Sequence, residues 1–250
     1  MKISIITVCY NSSKTIEKTI QSVLSQTYFD IEYIVVDGLS KDGTIDIVNN
    51  YKSKIAKIIS EKDKGMYDAL NKGIQTASGE IVGILNADDR FATNDIIENI
   101  ANHFKQNPKT DCVIGDIAFV DENNPAKISR YYSSAKFKPS KFAWGFMPAH
   151  PTFYCKKEYF NTFGGYKTEF DIASDYELLI RFLKVHQLKY DYMNLLMVLM
   201  NKGGKSTRGL QSTIKINKEI KIGCEMNGIY TNYFMLYSKY FLKVFEYFKK

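Results

Sequence analysis

Two adjacent carboxylates follow an apolar run in the first half of the chain. Asp88 and Asp89 come just after residues 81–85, and Asn86 precedes them. Neighbouring carboxylates at the end of a buried strand repel each other and are costly to desolvate, and a divalent cation relieves both penalties. Oxygen ligands of this kind suit Mg²⁺ or Mn²⁺, which also bind substrate phosphates. The pair therefore predicts a cation site, with a simple turn as the alternative.

Single acids occupy similar positions elsewhere in the first half. Asp37 ends the apolar run 31–36, where it could bond a ribose or a base edge, or only build a turn. The first strand leads into residues 9–13 and not into GxGxxG, which argues against a dinucleotide site. Asp63 and Lys64 precede a predicted helix whose N-terminal N–H groups attract anions. A capping Asp beside a solvated Lys is the alternative there.

Three more candidates lie in the second half. Asp175 lies at the start of a predicted helix, and taken alone this position favours a role as a helix cap. His150, beside a proline, is either a hydrogen-bonded structural residue or a contact for an acceptor or a diphosphate. Lys205 lies in a Gly-Gly-Lys-Ser sequence like the end of a P-loop, but Leu199 stands where that motif requires its first glycine. A P-loop is therefore excluded.

Alternating strands and helices must position these residues. Apolar runs predict strands over residues 3–8, 31–36, 55–59, 81–85, 113–120 and 190–200. Apolar residues at helical spacing predict helices over 44–51, 65–77 and 175–186, and others from about residues 16, 96 and 210. Such alternation indicates a mostly parallel sheet covered on both faces, which binds ligands at the carboxyl ends of its strands.

Composition narrows the class of protein. The 250 residues are 45% hydrophobic and 24% charged, which is ordinary for a globular chain with a sizeable core. The net charge of +7 suits a polyanion, an anionic membrane surface or a phosphate-bearing substrate, without choosing among them. Four separated cysteines and three scattered histidines argue against disulfides and zinc, and favour a reducing cytoplasm. We find no export signal and no apolar run of the roughly 20 residues that a spanning helix needs.

Taken in chain order, several short motifs resemble those of one family. They are Thr7-Val8-Cys9-Tyr10-Asn11, Asp37-Gly38, Asp63-Lys64-Gly65, Asn86-Ala87-Asp88-Asp89, His150-Pro151, Gly164-Gly165-Tyr166 and Ala173-Ser174-Asp175-Tyr176. This ordered set, over roughly residues 1–206, is similar to the family 2 glycosyltransferases of the GT-A fold. Each motif alone is weak, and their order carries the resemblance. The resemblance implies an α/β, Rossmann-like GT-A fold with a mostly parallel central sheet, flanking helices and C-terminal helices.

The resemblance also implies roles for regions and residues. It implies a nucleotide-sugar-binding half over residues 1–110, an acceptor-binding and catalytic half over 111–206, and a helical tail over 207–250. The implied donor contacts are Thr7, Tyr10, Asn11, Asp37, Asp63, Lys64, Asn86 and Asp88. The implied ligands of Mg²⁺ or Mn²⁺ are Asp89, ranked first, and Asp88, while Asp175 is the implied catalytic base. His150 and Lys205 are expected near the acceptor or the diphosphate.

Two departures from the family pattern refine the expected activity. The acidic pair that commonly precedes the base, Glu-Asp, is here Ser174-Asp175, and the QxxRW signature of processive synthases is absent. The resemblance implies an inverting reaction with UDP favoured as the nucleotide, and the missing QxxRW signature favours transfer of a single sugar. The acceptor is expected to be a glycan or a lipid-linked molecule in bacterial capsule, polysaccharide or lipopolysaccharide synthesis. This places the protein in the cytoplasm, at the inner face of the membrane.

Other interpretations are weighed against this one. Aromatic residues and lysines crowd the stretch from Tyr230 to Phe248, which suits a membrane-interface anchor or a helix packed on the chain or on a second subunit. Nucleic-acid binding is disfavoured, because acids cluster at strand ends and no RRM, KH or helix-turn-helix signature occurs. A nucleotidyltransferase would need a GxGxR-like loop after the first strand, and residues 9–13 do not supply one. A catalytically inactive sugar-nucleotide-binding partner is opposed by the acids at Asp37, Asp89 and Asp175.

Overall fold

Four apolar runs of the first half form parallel strands of one sheet. They are β1 (Ile3–Cys9), β2 (Ile31–Asp37), β3 (Lys57–Ser60) and β4 (Ile81–Ile84). In this computed structural model, which describes residues 1–121, 127–201 and 209–248, β1 lies between β2 and β4, and β3 borders β2. The parallel arrangement predicted for the first half is confirmed. Lys205 lies outside the described residues.

The remaining strands extend the same sheet and run in both directions. They are β5 (Asp89–Phe91), β6 (Cys112–Val120), β7 (Ile128–Tyr132), β8 (Tyr154–Lys156) and β9 (Tyr190–Asn201). Across the described residues the order is β3-β2-β1-β4-β8-β6-β9-β5, with β7 also paired to β6. Strand β8 is antiparallel to β4 and β6, whereas β6 and β9 are parallel. The predicted α/β class is confirmed, and each antiparallel pairing of the described residues includes at least one strand from β5 to β9.

Helices cover both faces of the sheet. They are α1 (Ile16–Leu24), α2 (Thr44–Asn50), α3 (Met66–Thr76), α4 (Ile96–Gln106), α5 (Lys157–Phe163), α6 (Ser174–Ile180), α7 (Gly209–Met226) and α8 (Tyr233–Phe248). A π turn, Arg181–Val185, continues α6. Strand residues alternate between the faces. Ile5 of β1 packs in one core with Ile20 and Ile100, whereas the next residue, Ile6, packs in the other core with Leu70.

The C-terminal helices pack on the face that carries α3 and α6. Leu236 of α8 is fully buried, and the Tyr240 hydroxyl accepts a hydrogen bond from Asn217 of α7 at 2.9 Å. By contrast, Tyr230 and Phe234 are 78% and 80% exposed. The described part of the tail thus has both a packed side and an exposed aromatic side. Among the helices of the described ranges, none is long and apolar enough to cross a membrane.

Two glycines in different packing environments give a test of this core. A Cβ built on Gly83 of β4 would lie 2.0 Å from the buried Tyr154 ring, whereas one on Gly223 of α7 would meet its nearest neighbour at an ordinary 3.5 Å. We expect Gly83→Ala to lower the free energy of unfolding by about 1–3 kcal/mol through overpacking. Gly223→Ala should raise it by about 0.5–1 kcal/mol, since alanine favours the helix. Urea unfolding of both variants checks the signs, and equal effects would contradict the packing described.

Candidate active site

Asp37 organises the loops at the carboxyl end of the sheet. It is the last residue of β2, it is fully buried, and its carboxylate accepts hydrogen bonds from the backbone and hydroxyl of Ser40. The Ser60 hydroxyl, at the end of β3, also donates to it at 2.7 Å. The Cys9 thiol lies 3.7 Å away, and burial together with the charge of Asp37 raises the pKa of this thiol. The structure therefore uses Asp37 to fix neighbouring strand ends.

Neighbouring loops are tied together through Asn11. This residue adopts a left-handed conformation with φ of 50°. Its N–H donates to the Ser40 hydroxyl at 2.8 Å, and its side-chain oxygen accepts from the Lys41 N–H at 2.9 Å. The loop after β1 is thus joined to the loop after β2, which Asp37 already holds. Asn11 is exposed, as the prediction of a ligand contact requires.

Tyr10, Gly38 and Asp63 meet just beyond the end of β2, and we call this meeting point the recess. Tyr10 is 62% exposed, and a Cβ on Gly38 would lie 2.4 Å from the Asp63 carboxylate and 3.3 Å from the Tyr10 ring. A side chain at position 38 would therefore displace the Asp63 carboxylate. Asp63 also accepts from the Gly65 N–H at 2.9 Å, at the start of α3, beside the exposed Lys64. An aromatic ring, bare backbone and a carboxylate lining one recess suit a flat heterocycle with N–H groups.

Thr7 is a correction to the expected donor contacts. It is fully buried within β1, and its hydroxyl accepts a hydrogen bond from the Tyr33 hydroxyl at 3.1 Å. Thr7 lies two residues before the strand end, on the same face as the core residue Ile5. It therefore supports the sheet and does not reach the recess.

The adjacent carboxylates Asp88 and Asp89 have different surroundings. Asp88 is exposed, whereas Asp89 begins β5 and is only 2% exposed. The Asn86 amide donates to the Asp89 carboxylate at 3.0 Å, and Asn201 donates to the Asp88 carbonyl at 2.9 Å. Burial, with the charge of Asp88 added to it, raises the pKa of Asp89. Asp88 is therefore the more accessible side chain of the two.

The carboxylate pair meets the requirements of a divalent cation. Burial and the adjacent like charge both disfavour the ionised form of Asp89 and raise its pKa, and a cation would offset both effects. The described residues contain no group of three or more His, Cys, Asp or Glu side chains arranged to hold a metal. Mg²⁺ and Mn²⁺ commonly take one or two carboxylates and complete their shell with substrate phosphates and water. The pair therefore fits a cation that binds together with a phosphorylated ligand.

Asp175 lies in a second, more enclosed cluster. It is the second residue of α6, half-buried, and one of its carboxylate oxygens accepts from the Tyr176 N–H at 2.8 Å. Burial raises the pKa of Asp175, and the nearby His150 partly opposes this. His150 is bonded to the Tyr166 hydroxyl at 2.8 Å, and burial lowers its pKa. The structure thus brings together two residues that are distant in sequence, a basic carboxylate and a neutral imidazole.

Tyr67 completes this cluster, which we call the base cluster (Tyr67, His150, Tyr166 and Asp175). Its ring stacks on Tyr166 with centroids 5.6 Å apart, and its hydroxyl donates to the Ile172 carbonyl at 2.5 Å. The charge of Asp175 is felt by both tyrosines, whose pKa values are raised by burial and then by that charge. No function was predicted for Tyr67 from the sequence, because a single aromatic residue in a helix usually belongs to the hydrophobic core.

A buried ion pair holds the backbone beneath the base cluster. Arg181 contacts Glu177 at 2.9 Å and donates to the carbonyls of Phe163, Gly164 and Gly165. The next residue, Tyr166, has both backbone groups bonded to the Asn71 amide at 2.8 Å. The signal for the ion pair was present in the sequence as an acid and an arginine at i, i+4 on a predicted helix.

Comparison with known proteins gives a consistent result. Residues 4–165 match the family model described as Glycosyl transferase family 2. The chain is 27% identical over 219 residues to a PGL/p-HBAD biosynthesis glycosyltransferase of Mycobacterium bovis, covering 86% of this chain and 81% of that protein. It is 40% identical over 108 residues to the Escherichia coli UDP-Glc:alpha-D-GlcNAc-diphosphoundecaprenol beta-1,3-glucosyltransferase WfaP, covering 43% and 42% of the two chains.

Solved structures extend the similarity to the fold. S. aureus TarS 1–349 in complex with UDP-GlcNAc superposes with a TM-score of 0.67 at 19% identity, covering 89% of this chain and 66% of that one. The mannosyltransferase PcManGT of Pyrobaculum calidifontis, in complex with GDP-Man and Mn²⁺, gives 0.61 at 23% identity, covering 83% and 58%. These similarities confirm the expected GT-A fold class.

The Arg181–Glu177 pair predicts a large loss of stability on substitution. Arg181→Gln leaves the buried Glu177 carboxylate without its cation, and we expect the free energy of unfolding to fall by about 3–5 kcal/mol. Lys221 and Glu225 form an ion pair at the same i, i+4 spacing on the surface of α7. Lys221→Gln is the matched control and should leave the unfolding midpoint in urea unchanged. Similar midpoints for both variants would refute the role assigned to the buried pair.

Proposed function

The chain belongs to glycosyl transferase family 2, and we propose that it transfers one sugar, with inversion, from a UDP-sugar to a hydroxyl of a glycan or lipid-linked acceptor. The observation that carries this proposal is the pairing of two acidic sites with different environments. Asp88 and Asp89 follow the central strand β4, next to loops suited to a nucleotide, whereas Asp175 lies in the base cluster with a raised pKa. One acidic site suits a leaving diphosphate and the other suits proton removal.

The recess of Tyr10, Gly38 and Asp63 is proposed to bind the nucleotide base. A pyrimidine can lie on the Tyr10 ring and donate its N–H to the Asp63 carboxylate. Uracil is favoured over guanine because the relative WfaP is named for a UDP-Glc donor and TarS was solved with UDP-GlcNAc. PcManGT was solved with GDP-Man, so guanine is the alternative base, and nucleotide titrations must compare UDP with GDP. Asn11 and Lys64 are proposed to contact the same donor from the adjoining loops.

Asp88 is proposed as the carboxylate that contacts Mg²⁺ or Mn²⁺, with Asp89 as its buried partner. Asp88 is exposed, whereas the Asp89 carboxylate is bonded to the Asn86 amide. When bound, the cation neutralises charge on the departing nucleoside diphosphate. Lys64, at the start of α3, adds positive charge from the protein. Asp89 acts by keeping the turn at residues 86–89 in place.

Asp175 is proposed to be the general base. Its carboxylate removes the proton of the acceptor hydroxyl while that oxygen bonds to the anomeric carbon and the bond from this carbon to the diphosphate oxygen breaks. A single displacement inverts the anomeric centre, and the proton ends on Asp175. Burial favours this role, because a raised pKa makes the carboxylate a stronger base. His150, kept neutral by burial, can hydrogen-bond the sugar or the acceptor.

The acceptor is proposed to be a lipid-linked diphosphate sugar or a growing glycan. WfaP is named for a diphosphoundecaprenol acceptor. An acceptor of this kind lies at a membrane surface, and the exposed Tyr230 and Phe234 of the tail suit interfacial contact. We therefore propose work at the cytoplasmic face of the membrane, with residues 1–110 holding the donor and residues 111–206 the acceptor.

Substitutions at the two acidic sites should have different effects on UDP binding and on turnover. Asp175→Asn keeps the shape and removes the proton acceptor, so release of UDP from UDP-glucose should fall by about 10²–10⁴-fold. Calorimetric binding of UDP with Mn²⁺ should survive that change. Asp88→Asn should instead weaken UDP binding, and only when Mn²⁺ is present, because the cation joins protein to phosphate.

The exposed Asp95 provides the control, since Asp95→Asn should change neither quantity. Titrations with GDP run beside those with UDP test the proposed nucleotide. Our assignment is wrong if Asp175→Asn loses UDP binding as severely as Asp88→Asn, or if it retains full turnover. Tighter binding of GDP than UDP would reject the donor but not the base.

The tail gives a separate prediction about membranes. The double substitution Tyr230→Ser and Phe234→Ser should reduce co-flotation with phosphatidylglycerol vesicles, since it removes the exposed aromatic contacts. High salt should weaken flotation of the unchanged chain, because its net charge of +7 favours contact with anionic lipid. Phe29→Ser, at an equally exposed aromatic residue in the loop between α1 and β2, is the control. If neither the tail substitutions nor high salt change the flotation, α8 serves only to pack on the rest of the chain.

A further inference from the structure

We propose that Glu219 of α7 is a positioning residue for the base: its carboxylate fixes the backbone that leads into α6 and so places Asp175. The inference rests on the proposed role of Asp175. It also goes beyond the family match, which ends at residue 165, by assigning a catalytic duty to a C-terminal helix. Glu219 is not proposed to touch substrate.

The geometry is a single carboxylate that accepts from consecutive N–H groups. The Asp171 N–H donates to Oε1 of Glu219 at 3.3 Å, and the Ile172 and Ala173 N–H groups donate to Oε2 at 2.9 Å each. Hydrogen bonds to an ionised acceptor are about twice as strong as neutral ones. Only Ser174 separates the last of these N–H groups from Asp175. Any displacement of residues 171–173 would therefore move the base.

The start of α6 has no capping side chain of its own. The residue just before α6 is Ala173, which has no polar side chain and makes no side-chain capping bond. Here Glu219 supplies acceptors for the segment entering the helix. The Tyr67 hydroxyl donates to the Ile172 carbonyl, so the segment is also held through a carbonyl group.

Glu219 also acts on the charge of Asp175. The titratable groups that influence Asp175 are His150, Tyr67, Tyr166 and Glu219. Burial is the largest cause of the raised pKa of Asp175; His150 lowers this pKa and Glu219 raises it further. Around Glu219, Lys215 of the same helix pairs with Asp171. Removing the Glu219 charge should thus lower the pKa of Asp175, which a purely structural prop would not do.

The test compares Glu219→Gln and Glu219→Ala with Glu225→Gln, a control on the same helix whose acid pairs with Lys221 at the surface. UDP release from UDP-glucose is measured against pH, and amide hydrogen exchange is measured over residues 169–178. For Glu219→Ala we expect kcat to fall by up to about 10²-fold, the cost of a base displaced by roughly 1 Å, with KM for UDP-glucose unchanged. Exchange at residues 171–173 should accelerate in that variant.

Glu219→Gln tests whether the charge of Glu219 influences Asp175 in addition to the support that its side chain gives to the backbone. Because the pKa of Asp175 falls when the charge is removed, the acid limb of kcat/KM should move to lower pH while the plateau decreases. The proposal is overturned if the limb, the plateau and the exchange of residues 171–173 all match Glu225→Gln. Asp175→Asn identifies the source of such a failure. If that variant is inactive, only the Glu219 inference fails; if it turns over normally, the proposed base fails and this inference with it.

Discussion

The site depends on keeping carboxylates charged where burial opposes their charge. Taking an acid out of water raises its pKa unless hydrogen bonds or cations compensate, so each buried acid needs a specific partner. Asp37 has serine hydroxyls and a backbone N–H, Glu177 has Arg181, and Asp89 has an amide. Asp175 has one backbone N–H and a neutral imidazole nearby. The kind of partner divides these acids into structural and chemical ones.

This division explains which acids can react. The carboxylate of Asp37 is surrounded by donors, so it serves the loops and is not available as a base. The ion pair of Glu177 is likewise complete, because Arg181 also satisfies the carbonyls of residues 163–165. Asp175 is less fully compensated and its pKa is raised, which leaves it ready to take a proton. The pair at Asp88 and Asp89 is undercompensated in another way, because two like charges are adjacent and a bound cation would relieve their repulsion.

Much of the first half follows from local pattern, and the errors have physical causes. Strands β1, β2 and β4 are continuous apolar runs, so their existence and direction could be predicted. Strands β5 and β8 are three residues each, too short to show any periodicity. The difference in burial between Asp88 and Asp89 could not be predicted for that reason, since the start of β5 decides which of the two side chains turns inward. Thr7 was expected to contact the donor. Its burial could have been predicted, because Thr7 lies on the same face of β1 as the buried Ile5. The contact of Glu219 with residues 171–173 joins distant segments, and no local pattern encodes it.

Helix α3 connects the residues around Asp63 to those around Asp175. Its approach carries Asp63 of the recess and the exposed Lys64, and its first turn carries Tyr67, which bonds the Ile172 carbonyl. One turn further, Asn71 holds both backbone groups of Tyr166. Glu219 of α7 accepts hydrogen bonds from the N–H groups of residues 171–173, which belong to the same segment as Ile172. Since this segment leads directly to Asp175, the position of that carboxylate is set jointly by α3 and by a helix of the C-terminal tail.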